Sequence, residues 1–179
     1  MEVLIRLFII LVFQFLAIHA EDSVLLNTNI RMIPKLMALD TQILSKTKSD
    51  KVILAVVYEG KRNREAKEIA EQMNKYYNGK VANIAFNAVA VSADDFFSLR
   101  NIGCIFVTPM NFQITSKIAA WASSNSIASF SYNVSDLDEG ILGSISIERQ
   151  TFIYISKKTL KQSNIRFNDI LFQVARLVE

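Results

Sequence analysis

Apolar runs alternate with amphipathic stretches along this chain, and their two periods separate strands from helices. Val52 to Tyr58 is an unbroken apolar run, the pattern of a strand buried on both faces of a parallel sheet. Residues 82–91, 103–108 and 127–131 are further strands of the same sheet. Between them the spacing changes. After the polar stretch 59–63, Ala66, Ile69, Ala70, Met73 and Tyr77 mark one face of a helix. Arg64 with Glu68 and Lys67 with Glu71 form four-residue pairs on its solvent side, and Asn78-Gly79 ends it. Residues 94–99 predict a short helix with an acidic start, and 115–124 a longer one carrying Ile118, Ala119 and Ala122. Upstream, Asn29 is read as the cap of a helix running to about Lys46, through Ile30, Ile33, Met37 and Leu44. Pro34 sits late for a first-turn proline, which predicts a kinked or delayed start.

Strand and helix in alternation are the signature of right-handed βαβ units. The tail changes style. Residues 141–147 and 151–155 alternate apolar with polar, joined by Glu148-Arg149-Gln150, as in an antiparallel hairpin. Two helical pieces follow, the last with a stripe of Phe167, Ile170, Leu171, Val174 and Val178. The predicted fold is one α/β domain. Its sheet is mostly parallel and helix-flanked, and it ends in a β-hairpin and a C-terminal helix. No repeat, proline-rich linker or low-complexity tract interrupts it.

The first twenty residues stand apart. Arg6 precedes an apolar run over 7–18, and Ile18-His19-Ala20 offers a small residue at a cleavage point before Glu21-Asp22. This reads as a signal peptide over residues 1–20, with the domain over 21–179, and places the mature protein in the periplasm. The run is shorter than the roughly 20 residues a spanning helix needs.

That reading changes the chemistry, because His19 is the chain's only histidine. The processed form lacks the usual general base, zinc ligand and pH switch. Cys104 is the only cysteine, which rules out an internal disulfide; it lies in an apolar strand and reads as an inert core thiol. The serines at 123, 124, 126, 129 and 131 have no histidine partner and no nucleophile elbow. These residues point away from an enzyme. The formal net charge is +3, and the basic residues are interspersed with acidic ones, so nucleic-acid binding is not indicated.

In an open parallel sheet, ligands sit beyond the carboxyl ends of the strands. Two loops there carry candidate binding residues. The first follows the first strand: Tyr58, Glu59, Lys61, Arg62 and Asn63 precede a helix N-terminus, which suits an anion. It has neither glycine-rich nucleotide fingerprint, and solvated loop charge explains it too. The second is Thr108-Pro109-Met110-Asn111. Thr108 and Asn111 can hydrogen-bond a ligand and Met110 can make an adaptable apolar contact. A strand end, a proline break and a helix cap account for the same residues. Trp121 and the phenylalanines suit the core, though one near the 109–112 loop could line a pocket. Asp94, Asp95, Asp136, Asp138 and Glu139 lack calcium-loop spacing, so neither a metal nor a cofactor is expected. Asp40, in an otherwise apolar stretch, either pairs with a buried cation or ends the apolar face. Asn133-Val134-Ser135 fits a glycosylation sequon.

Three stretches resemble the YfiR/HmsC-like family of bacterial periplasmic proteins: 33–44 (IPKLMALDTQIL), 51–73 (KVILAVVYEGKRNREAKEIAEQM) and 140–179, which begins GILGSISIERQTFIYIS. Ser156 stands where that family usually has asparagine, and its paired cysteines are missing. The resemblance implies an α/β periplasmic domain, often a homodimer, that restrains a membrane-bound diguanylate cyclase. The family also looks like one lobe of the substrate-binding proteins of ABC importers. Two functions therefore compete. One is a non-enzymatic sensor or regulator contacting a membrane protein with a periplasmic domain. The other is a small-molecule-binding protein associated with a transporter.

Overall fold

The computed structural model describes residues 23–46 and 51–179. The leader read over residues 1–20, His19 included, lies outside the described residues. Helix α1 spans residues 23–38. Then come β1 (Val52–Tyr58), α2 (Asn63–Tyr77), β2 (Lys80–Val81), β3 (Ile84–Ser92), β4 (Ile102–Val107), α3 (Phe112–Ser124) and β5 (Ala128–Ser131). The chain closes with β6 (Gly143–Ile147), β7 (Thr151–Ser156), α4 (Lys157–Ser163), α5 (Ile170–Val174) and β8 (Ala175–Val178).

The strands form one sheet in the order β2-β3-β1-β4-β5-β6-β7-β8. Strands β3, β1, β4, β5 and β6 are mutually parallel, with Val56 between Ala90 of β3 and Phe106 of β4. β6 and β7 form the expected antiparallel hairpin, Ile145 facing Ile153.

The apolar run of β1 is explained by layers on both faces. Leu54 and Val56 enter one core with Ile33 and Met37 of α1 and with Ala66, Ile69, Ala70 and Met73 of α2. Ala55 and Val57 point the other way, into a second core with Ile118, Ala119 and Ala122 of α3. Period-two alternation along a strand divides its residues between the two helix layers. Tyr77 ties α2 to α1: its hydroxyl donates to the Arg31 carbonyl, and burial is the main cause that pushes its pKa up to about 12.

Several expectations are corrected, most of them at the ends. Asn29 does not cap α1. It is buried inside the helix, its Nδ2 donating to the Leu25 carbonyl at 2.9 Å, the back-bonding that polar side chains make within helices. Pro34 also lies inside α1, where it has no N–H to donate. The helix stops at residue 38, and Leu44, expected on its apolar face, sits 64% exposed in the 3₁₀ turn Ile43–Lys46.

The predicted C-terminal stripe is also divided. Phe167 and Leu171 are buried, but Ile170 is 55% and Val174 59% exposed. The helix ends at Val174, and Val178 lies on β8, which pairs parallel with β7. An unpaired strand edge supplies a row of backbone donors and acceptors that a short helix cannot match. The expected helix at 94–99 is a single 3₁₀ turn, Phe96–Ser98.

Candidate functional site

The chain passes from β1 to β3 on one side and then returns across β1 to β4 on the other. The winding reverses between β1 and β4. Loops leaving these strands diverge to opposite faces and open the crevice where such sheets hold ligands. The two candidate loops, 59–63 and 108–112, follow β1 and β4.

They meet through one hydrogen bond. The Asn111 backbone N–H donates to Oε2 of Glu59 at 2.7 Å. The carboxylate thereby sits at the N-terminus of α3, where the helix dipole favours negative charge. Asn111 also caps that helix, its Oδ1 accepting from the Gln113 N–H at 2.8 Å. Two of the predicted ligand contacts thus serve first as local architecture.

Thr108 is consumed by the fold. It is fully buried, and its N–H and hydroxyl both donate to the Val57 carbonyl at 3.0 Å. Tyr58 is half-buried against the first core, its carbonyl accepting from the Ala93 N–H at 2.8 Å. Met110 is half-buried against the second core. Lys61, Arg62 and Asn63 are exposed. Arg62 is held by Glu65 at 2.8 Å, while Lys61 and Asn63 border a shallow groove along the solvent side of α2. Gly60 adopts φ +60°, the left-handed turn that lets the chain leave β1 for α2. Tyr58 and Met110 are thus half-buried against different cores on either side of the sheet, and the ring of Phe112, at the start of α3, is 61% exposed. Phe112 is the phenylalanine that the sequence placed near this loop.

The next rim segment carries a network that the sequence showed only as scattered acids and serines. Ser131, at the end of β5, donates its hydroxyl to Asp136, and Ser116 of α3 donates to Glu139. Ser131 Oγ also accepts from the Asn133 N–H at 3.1 Å. Burial pushes the Asp136 carboxyl above its ordinary range; the Ser131 hydrogen bond opposes that and the charge of Glu139 adds to it. These bonds clip the 131–141 loop to β5 and α3. No signal short of the fold could have paired Ser116 with Glu139.

Cys104 is fully buried, and burial, with Asp40 nearby, pushes its thiol far up, so it stays protonated. Asp40 has its cation: it pairs with Lys46. Among the described residues, no group of three or more His, Cys, Asp or Glu is placed to hold a metal ion.

No protein-family model and no curated protein matches the chain. Among solved structures, the fold is similar to a conserved domain protein from Vibrio cholerae O1 biovar eltor, with TM-score 0.52 and 11% identity over 77% of this chain and 58% of that one. Another is the ABC domain in complex with L-Trp from Streptococcus pneumonia, at TM-score 0.49 and 11% identity over 80% of this chain and 60% of that one, a likeness too slight to bear on this chain. The chain spans less than two thirds of either protein. The first likeness extends to the fold alone: an α/β domain with a mostly parallel, helix-flanked sheet.

Proposed function

We propose that this chain is an exported, non-enzymatic binding domain that takes a small molecule at the carboxyl-end rim of its sheet, between loops 59–63 and 108–112. One observation carries the reading. The 2.7 Å bond from Asn111 to Glu59 draws the two loops together where the winding reverses. Beside that bond, the exposed ring of Phe112 offers apolar contact and the exposed Lys61 and Asn63 offer charge and hydrogen bonds, while Tyr58 and Met110 are half-buried on either side of the sheet. A buried, protonated cysteine and a lone histidine at position 19 support binding over turnover. Titrating ¹⁵N-labelled protein with a small-molecule library is expected to give hits whose amide shifts cluster on 58–63 and 110–112. A saturating hit, at 100 times its Kd, adds about 2.7 kcal/mol of stability. A library that gives no hit on these two segments would refute the assignment. Export predicts a chain starting at Glu21 in protein recovered from the periplasm, read by mass spectrometry.

A second reading, contact with the periplasmic domain of a membrane protein such as a diguanylate cyclase, is favoured by an asymmetry of the sheet edges. At one edge, Asn74 makes two 2.8 Å bonds with the Ala88 backbone of β3. At the other, β8 carries Leu177, 42% exposed, beside exposed Ile170, Phe172 and Val174. Cross-linking in intact cells is expected to capture such a partner with the native chain and to lose it with Leu177→Arg. Equal capture by both would remove the edge from consideration.

A further inference from the structure

We propose a second binding site, at the amino-terminal edge of the sheet and separate from the rim, for a small amphipathic carboxylate. A cavity of about 610 Å³ opens beside the starts of β4 and β5 and the end of α3. Its volume lies within the roughly 300–1,000 Å³ of small-molecule pockets. Leu99, Ile102, Ile127 and Trp121 make its apolar surface, and Arg100 and Asn125 stand among them.

Aromatic packing holds the indole in place. Phe96 and Phe97 meet Trp121 edge-on, with ring centroids 5.0 and 6.5 Å away. Such a wall suits a flat or branched hydrocarbon body.

The charge of the lining has one sign among the described residues: Lys46 and Arg100 border the cavity, and no described acidic side chain does. Lys46 is already balanced by Asp40 behind it. Arg100 is exposed and makes no ion pair among the described residues, so its guanidinium is the free anchor for a carboxylate. The carbonyls at the end of α3 do not oppose an anion as bare acceptors. Trp121 O accepts from the Asn125 side chain at 2.8 Å, Ala122 O from the Ile127 N–H at 2.9 Å and Ser123 O from the Ser126 N–H at 3.1 Å. A hydrocarbon body against Trp121 and a carboxylate on Arg100 satisfy the lining together.

Trp121 is the only tryptophan of the chain, so its fluorescence reports on this cavity. The test titrates the full chain with 4-phenylbutyrate and with its uncharged amide. The expected result is a saturable change with the carboxylate and an affinity at least tenfold lower for the amide. Arg100→Gln, at an exposed position that leaves the fold intact by circular dichroism, is expected to weaken the carboxylate tenfold and leave the amide unchanged. Phe112→Ala, on the rim, is expected to change neither titration. No saturable change up to about 10 mM ligand would overturn the proposal. So would equal affinity for acid and amide, or loss of binding in Phe112→Ala.

Discussion

Lys46 and Asp40 form an ion pair beneath the start of β4, with the Asp40 carboxylate fully buried and the Lys46 side chain only 10% exposed. The second carboxylate oxygen, Oδ1, accepts from the Gln42 N–H at 2.9 Å, and the Asp40 backbone bridges to Phe167. One acidic residue thus joins the end of the first helical segment to the tail of the chain. Removing the Lys46 charge strands the fully buried Asp40 carboxylate without its cation. Lys46→Ala is expected to cost about 3 kcal/mol in urea unfolding, while Asp40→Leu with Lys46→Met recovers most of it. A single-variant cost below about 1 kcal/mol would mean that the pair behaves as a surface pair.

The cap on α3 predicts a graded series. Asn111→Ala removes the acceptor for the Gln113 N–H and is expected to cost about 1 kcal/mol. Asn111→Asp keeps that acceptor and should stay near the native stability. Thermal melts of the two variants, read side by side, separate cap loss from general damage to the loop.

Gly103 has no room for a methyl group. A Cβ there would lie 2.3 Å from Cγ1 of Val52 and 2.7 Å from Cδ1 of Ile43. Gly103→Ala is expected to destabilise by about 1–3 kcal/mol through overpacking. Adding Val52→Ala relieves the tighter contact, so a double-mutant cycle should be strongly non-additive. Additive costs would place the strain elsewhere.

Asp136 links stability to pH. Its folded-state pKa is raised, chiefly by burial, so the native state holds this proton where the unfolded chain has released it. Its contribution is fully present below the ordinary carboxylate range and is lost as pH rises through the raised value. Asp136→Asn removes the titration and keeps an acceptor for Ser131. The variant is expected to gain stability relative to native at pH 7 and to lose that gain at pH 3. An unchanged difference between the two pH values would exclude Asp136 as the source.

Cys104 should be silent in the native protein. Its buried, protonated thiol is expected to resist Ellman's reagent at pH 8 and to react fully once urea unfolds the chain. Rapid native reaction would show that β4 opens far more readily than its packing implies.

The elements that the sequence shows clearly are those whose pattern is local. The stripe from Ala66 to Met73 and the run from Val52 to Tyr58 need only near neighbours to reveal a helix face or a doubly buried strand. The tail misled because Phe167, Ile170, Leu171, Val174 and Val178 keep helical spacing, while β7 offered an open edge that captured Ala175–Val178 as a strand. Asn29 misled because a polar side chain that caps helices also bonds backward inside them. At the rim, residue types pointed to two loops, but Thr108 and Asn111 fitted ligand contact and architecture equally until the Val57 carbonyl and the Gln113 N–H were found on them.

By itself the sequence determined the central alternation β1-α2-β3-β4-α3-β5 and the hairpin after it, the parallel character of the sheet and the scarcity of reactive side chains. Hydrophobic period and composition are properties of short windows. Only the tertiary structure decided that Glu59 meets Asn111, that Lys46 covers Asp40, and that Trp121 and Arg100 share a cavity. Those pairings depend on which strands lie side by side and on the face to which each crossover helix packs. That arrangement is set by burial summed over the whole sheet, and no local stretch of residues carries it.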